Sequence, residues 1–253
     1  MTVFQGSVKR IQYPSRRVRL GRALAGALSL FSVFALSTTS KAQSDYHPAI
    51  DPADFSSTIN HPYFTLTPGT TYVYRSNGGH GLEVTKVTVT NQTHDVMGVS
   101  TRVVEDRVWL NGRLIEETYD WYAQDRKGNV WYFGEDSTAF KKDGKKNKAG
   151  SWEAGVNGAE PGIVMPAGAQ PGAPYREEYL KGQAEDMGQI VNAKEKITVP
   201  VGTFDQCLKI REWSPLEPGH VEHKYYSAKL HNMVLETEEG GKKRVELVSG
   251  GSP

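Results

Sequence analysis

The chain has 253 residues, 38% hydrophobic and 23% charged, with a formal net charge of +1 and one cysteine, Cys207, so no intrachain disulfide can hold the fold. The charge is unevenly placed: residues 1–42 carry seven basic side chains and no acid, and without them 23 basic residues face 29 acidic ones, a net charge of −6. Affinity for nucleic acid and for anionic membrane surfaces rests on basic residues, so an acidic mature chain argues against both as partners.

Residues 1–42 read as an export signal. A basic stretch leads into the apolar run ALAGALSLFSVFAL (23–36), and Ser40-Lys41-Ala42 supplies a small-x-small exit. The apolar run is about fourteen residues, too short to cross a bilayer comfortably, so no stable membrane span is expected after cleavage. SRRVRL (15–20) partly resembles the twin-arginine signature, although Arg19 stands where an aromatic or aliphatic residue is preferred; the general secretory route fits as well. The expected location is periplasmic or secreted.

Residues 43–62 are polar and punctuated by proline, an extended lead-in to a domain at 63–248. From Tyr63 the chain is rich in β-branched and aromatic residues. TTYVYR, LEVTKVTVTN, VMGVSTRVVEDRVWL, RLIEETYDWYAQD and VWYFGED read as strands joined by the turns SNGGHG, Asn111-Gly112 and RKGN. Residues 137–174, rich in Gly and Pro, form a long loop. Its Trp152, Ile163, Val164 and Met165 favour a flap folded over the domain rather than a linker. Strands resume with YREEYLKG and run to KRVELVS, leaving 249–253 as a tail. The fold class is all-β: a single antiparallel meander of about nine to eleven strands, curled into a barrel or half-barrel. Cys207 falls in the alternating run FDQCLKI and reads as a core residue.

Acidic pairs recur at Glu105-Asp106, Glu116-Glu117, Glu135-Asp136, Glu177-Glu178, Glu185-Asp186 and Glu238-Glu239. Neighbours on a strand point to opposite faces, so each pair inside a strand sends one carboxylate inward. Inward carboxylates cannot all stay ionised and unpaired; Arg102, Arg107, Arg176, Arg211 and Lys224 are candidate partners. Alternation also sets Asp120 with Tyr122, opposite Trp121, and Glu135 with Trp131. Carboxylates beside aromatic rings suit sugar, cationic or aromatic ligands. The candidate ligand-binding set is therefore Asp120, Trp121, Tyr122, Trp131, Glu135 and Trp152, with Tyr225.

No metal-ligand motif is present, because His220 and His223 fall on opposite faces of a strand and no H-x-H, HExxH or CxxC occurs. A structural zinc site is not expected and no metal ligand is assigned; a calcium-type site of Glu and Asp oxygens stays open although no EF-hand loop is present, and the cofactor is unknown. Nucleophile elbows and phosphate-binding glycine loops are missing too. If proton transfer occurs, Glu178, Glu185 and His223 are the candidates.

Three stretches taken together, YDWYAQDRKGNVWYFGED, GSWEAGVNGAEPGIVMPA followed by YREEYLKGQAED, and VPVGTFDQCLKIREW followed by VEHKYYSA, resemble an uncharacterised family of exported bacterial β-proteins. The resemblance covers most of residues 60–248. It implies export and a lipocalin-like barrel or half-barrel shape, and it brings no activity with it. The leading expectation is an exported module that binds a small apolar-aromatic or cationic ligand in an aromatic and acidic pocket. The alternatives are a carboxylate-dependent hydrolase or lyase acting on a glycan or other exported substrate, and a structural envelope protein without ligand.

Overall fold

The computed structural model describes residues 46–78, 80–240 and 243–251; the expected export signal lies outside the described residues. A short 3-10 turn at Pro52–Asp54 precedes β1 (Phe55–Ser56), β2 (Ile59–His61) and β3 (Phe64–Leu66). A first meander follows: β4 (Thr71–Gly78), β5 (Gly81–Val96), β6 (Val99–Leu110), β7 (Arg113–Asp125) and β8 (Val130–Phe140). Six elements come next: β9 (Lys146–Asn147), β10 (Trp152–Glu153), β11 (Glu160–Met165), β12 (Tyr175–Arg176), β13 (Glu178–Tyr179) and β14 (Met187–Val199). With β14 they lead into a second meander of β15 (Gly202–Trp213), β16 (Val221–Ser227), β17 (Asn232–Glu238) and β18 (Arg244–Gly250).

The strands form because side chains alternate. On β5, Glu83, Thr85, Val87 and Val89 are buried, while the residues between them are less so. Asn111 and Gly112 adopt φ of 50° and 80°, the left-handed pair that a tight two-residue hairpin requires. The Asn111 side chain also accepts a hydrogen bond from the Leu82 amide at 3.0 Å, tying the turn to its neighbour.

The main sheet runs β12-β14-β15-β16-β17-β18-β4-β5-β6-β7-β8-β11-β13 and curls into a nearly closed antiparallel barrel. The last long strand, β18, pairs with the first, β4, as in Leu247 opposite Tyr74. The two ends of the sheet are β12 and β13, which are almost consecutive in sequence. Tyr175-Arg176 pairs with β14, and Glu178-Tyr179 pairs with β11. Five residues, 175–179, therefore form a seam that touches both ends of the sheet.

The β2–β3 hairpin covers one end of the barrel. Phe64 packs edge-on against Tyr122 at 5.6 Å, and the Thr65 amide donates to the His231 carbonyl at 2.8 Å. The lead-in lies along the seam: Tyr46 Oη donates to the Pro161 carbonyl at 3.0 Å, and its ring meets Tyr179 edge-on at 5.9 Å.

Two expectations change. Among the described residues there are eighteen strands rather than nine to eleven. Seven are only two or three residues long (β1, β2, β3, β9, β10, β12 and β13), too brief to leave a periodic trace; the eleven longer ones match the upper expected number. The 137–174 segment is also partly wall rather than flap. Trp152 pairs with Glu135 and Ile163 with Trp131, so β10 and β11 satisfy backbone groups that the edge of β8 would otherwise expose. Among the described residues no helix is long and apolar enough to cross a membrane. On the outward face of β6 and β7, Arg107 pairs with Glu105 at 2.9 Å and with Glu117 at 2.8 Å.

Candidate functional site: a carboxyl-rich interior

Three of the acidic pairs split as strand alternation requires, and Glu185-Asp186, in the loop before β14, divides in the same way. Asp106, Glu116, Glu135 and Asp186 are buried, while Glu105, Glu117, Asp136 and Glu185 are partly exposed. Glu177-Glu178 does not split; both side chains are buried, at 1% exposure each. The seam explains this, because the two residues belong to different ends of the sheet. Glu177 donates its amide to the Asp186 carbonyl at 2.9 Å, whereas Glu178 pairs with Pro161 of β11.

Two groups result. The first is built on Tyr132, whose hydroxyl donates to Asp120 Oδ1 at 2.7 Å and lies 3.3 Å from Glu135 Oε2. Tyr122 stacks on the Tyr132 ring at 5.0 Å, and Trp152 meets it edge-on at 5.3 Å. Burial pushes the Tyr132 hydroxyl well above its ordinary pKa, and Asp120, Glu135, Tyr122 and Glu178 add to the effect, so it remains a donor.

Glu135 reaches this group through an irregularity. Tyr122 is opposite Tyr132, yet Trp121 is opposite Gly134, so Phe133 is an extra residue on β8. Gly134 holds φ of 135°, and a Cβ there would strike the Trp152 and Glu153 backbone. The bulge corrects the expected faces: Glu135 joins Tyr132 instead of Trp131. Trp131 donates its Nε1–H to Asp125 at 2.9 Å and meets Phe55 edge-on.

The second group surrounds Lys224, which is fully buried. Its Nζ lies 2.6 Å from Glu212 Oε2, with side-chain exposures of 0% and 3%. Glu212, Glu222 and Glu236 come from β15, β16 and β17, and Glu177 from the seam. Burial raises the carboxyls of Glu177 and Glu236 well above the usual range, and neighbouring acids (Glu212 for Glu177, Glu222 for Glu236) reinforce it while Lys224 opposes it. Burial raises Glu212 too, less so because Lys224 pulls it back. Burial works against the Lys224 charge, but Glu212, Glu236 and Glu177 outweigh it and hold the ammonium firmly protonated. Glu177 and Glu178 adjoin in sequence and so link the two groups.

Hydrogen-bond acceptors outnumber donors around Lys224. Glu177 Oε2 and Glu236 Oε2 are buried without a hydrogen-bond partner among the described residues, and so is the Tyr175 hydroxyl. A Cβ on Gly188 would run into Glu177 Oε1, so the glycine keeps room for this carboxyl.

The sequence candidates separate. Asp120, Tyr122, Glu135 and Trp152 meet at Tyr132. Trp121 packs on His94 at 4.3 Å, and Tyr225 lies under Lys209 Nζ at 5.7 Å, on the opposite face from Lys224. Glu178 is buried at the seam. Glu185 is partly exposed and accepts the Gly182 amide at 2.7 Å in a local turn. His223 sits between Arg211 and Thr237, on the face opposite Glu222 and Lys224. Burial lowers its pKa, and Lys209 and Arg211 on the same side lower it further. The three proton-transfer candidates thus occupy three environments. Tyr132, Glu212 and Glu236 are not among the sequence candidates, Glu177 is singled out there only as a member of an acidic pair, and Lys224 only as an ion-pair partner. Of the five cations offered as partners, Arg107 pairs outside, Arg211 stacks on Trp213 at 4.5 Å, and Lys224 is the one that is fully buried. Among the described residues no group of three or more His, Cys, Asp or Glu side chains is placed to hold a metal ion.

No protein-family model matches the chain, and no curated protein matches it. Among solved structures it is similar to a "putative lipoprotein" from Parabacteroides distasonis ATCC 8503, with 13% identity, a TM-score of 0.39, and coverage of 74% of this chain and 97% of that chain.

Proposed function

We propose that the protein is exported and binds a small ligand inside the barrel, against the wall formed by the Tyr132 and Lys224 groups. The observation that supports this reading is the surplus of buried acceptors: Glu177 and Glu236 each bury an oxygen with no partner among the described residues. Buried polar groups are ordinarily hydrogen-bonded, and orphaned ones cost about 1–3 kcal/mol each, so a chain that keeps several has a use for them. Tyr122, Tyr132 and Trp152 add an aromatic flank for the ligand's apolar part. A barrel serving only as an envelope scaffold would pack such positions with apolar side chains at no loss.

The test is a thermal-shift screen of the mature chain against small amines, sugars and aromatic compounds, with native mass spectrometry of protein taken from its own host. The binding reading expects at least one class to raise the melting temperature and a bound molecule to survive into the gas phase. It fails if no class shifts the transition and the purified protein carries nothing. N-terminal sequencing of that sample tests export; a chain starting at Gln43 is expected.

A further inference from the structure

Resting on that reading, we infer that the ligand carries an ammonium group, and that this group enters the Lys224 site in exchange for protons held by Glu177 and Glu236. The geometry carries the inference. Lys224 faces Glu212 on β15, Glu222 on its own strand, Glu236 on β17 and Glu177 at the seam, with Asp186 and Glu178 beside Glu177. All six carboxyls are at least nine-tenths buried. Lys243 reaches the edge of this set but is held by Glu83 at 2.9 Å, and His220 lies 2.9 Å from Glu222. Tyr175 on β12 and Tyr226 on β16 supply hydroxyls, and β14 and β18 present Gly188 and Val245, which do not titrate.

The one buried ammonium of Lys224 does not balance Glu177, Glu212 and Glu236 in a low-dielectric interior, so carboxyls of this set must hold protons. The raised carboxyls of Glu177 and Glu236 agree with this. An anion would be repelled. A neutral ligand would leave the charge imbalance as it is. An ammonium group supplies the N–H donors that Glu177 Oε2 and Glu236 Oε2 lack and lets a carboxyl ionise. The exchange balances: R–NH3+ enters, Glu–COOH becomes Glu–COO−, and one H+ leaves to solvent.

The experiment is calorimetry of the mature chain with butylamine and putrescine, in phosphate and in Tris. Choline, which has no N–H, K+ and a neutral sugar serve as comparison arms. The expected result is binding of the primary amines, with about one proton released per ammonium bound, read from the difference between buffers. Affinity should then rise close to tenfold per pH unit below the raised carboxyl values. Glu236→Gln and Glu177→Gln should weaken binding and reduce the proton release. Amine binding with no proton release or with pH-independent affinity overturns the inference, and so does binding by choline, K+ or the sugar in place of the primary amines. In these cases the binding barrel itself stands. If nothing binds, the inference falls, and the binding barrel falls with it only when the thermal-shift screen and native mass spectrometry are negative as well.

Discussion

Replacing Lys224 with methionine tests the energetics of the interior directly. Methionine keeps most of the side-chain volume and removes the ammonium that lies 2.6 Å from Glu212. Removing one member of a buried ion pair costs about 3–5 kcal/mol. The second route to the magnitude is protonation, since Glu212 can escape an unpaired charge by binding a proton. From its ordinary value of 4.5 this costs at most about 3.4 kcal/mol at pH 7 and about 0.7 kcal/mol at pH 5, at ~1.36 kcal/mol per pH unit, because the folded carboxyl is already raised. The two routes overlap near about 3 kcal/mol at neutral pH, or roughly 6–12 °C in melting temperature for a domain of this size. The sign with pH follows from linkage. Glu177, Glu212 and Glu236 have raised folded values, so their contribution is fully present below 4.5 and is lost as pH rises through those values. The Lys224 contribution is present throughout this window, since its folded value is raised above 10.5. The variant should therefore lose about 3 kcal/mol at pH 7 and less than about 1 kcal/mol at pH 5. Urea unfolding followed by tryptophan fluorescence reads both, and Glu212→Gln added to the variant should recover part of the loss. A penalty under about 1 kcal/mol at pH 7, or an equal penalty at the two pH values, would refute the buried-pair reasoning.

Three further outcomes are expected. Tyr132→Phe removes the donor shared by Asp120 and Glu135 and should cost about 1–3 kcal/mol in urea unfolding; a neutral result would mean these acids do not depend on that hydroxyl. Gly162→Ala would drive a Cβ into the Glu177–Glu178 backbone, so hydrogen exchange at Glu178 and Tyr179 should accelerate. Gly168→Ala, with nothing within 4 Å, should leave exchange there unchanged, and equal behaviour of the two variants would contradict the seam as a tight junction. The Cys207 thiol is fully buried and burial pushes its pKa up to about 11, so a disulfide reagent at pH 8 should label it only after unfolding. Rapid labelling of the native protein would be the contrary finding.

The all-β class was legible because it depends on local pattern: period-two burial, β-branched and aromatic residues, and turns such as Asn111-Gly112. Alternation also placed Asp106 and Glu116 inward once the inner face was known. Three features escaped for lack of a local signal. The bulge at Phe133-Gly134 reverses the faces downstream, and a glycine inside a strand run is too common to announce it. The seam buries both Glu177 and Glu178 because strands far apart in the sheet claim neighbouring residues. The Lys224 group draws on β15, β16, β17 and the seam. Its residues repeat at spacings of two, as in Glu222 and Lys224, but only the assembled curvature says which face is inside.

The pairing of β18 with β4 has a consequence for how the chain folds. Each meander is made of neighbouring hairpins, whose loops close at little entropic cost. The junction from Tyr74 to Leu247 spans nearly the whole described chain and gains nothing until both halves exist. The seam at 175–179 closes the other side of the ring and needs β11 and β14 already in position. Two partly formed halves docking along two lines is thus the expected order of assembly. High contact order makes that docking slow, and the free edges of β4 and β18 are the surfaces exposed to mispairing until it is complete.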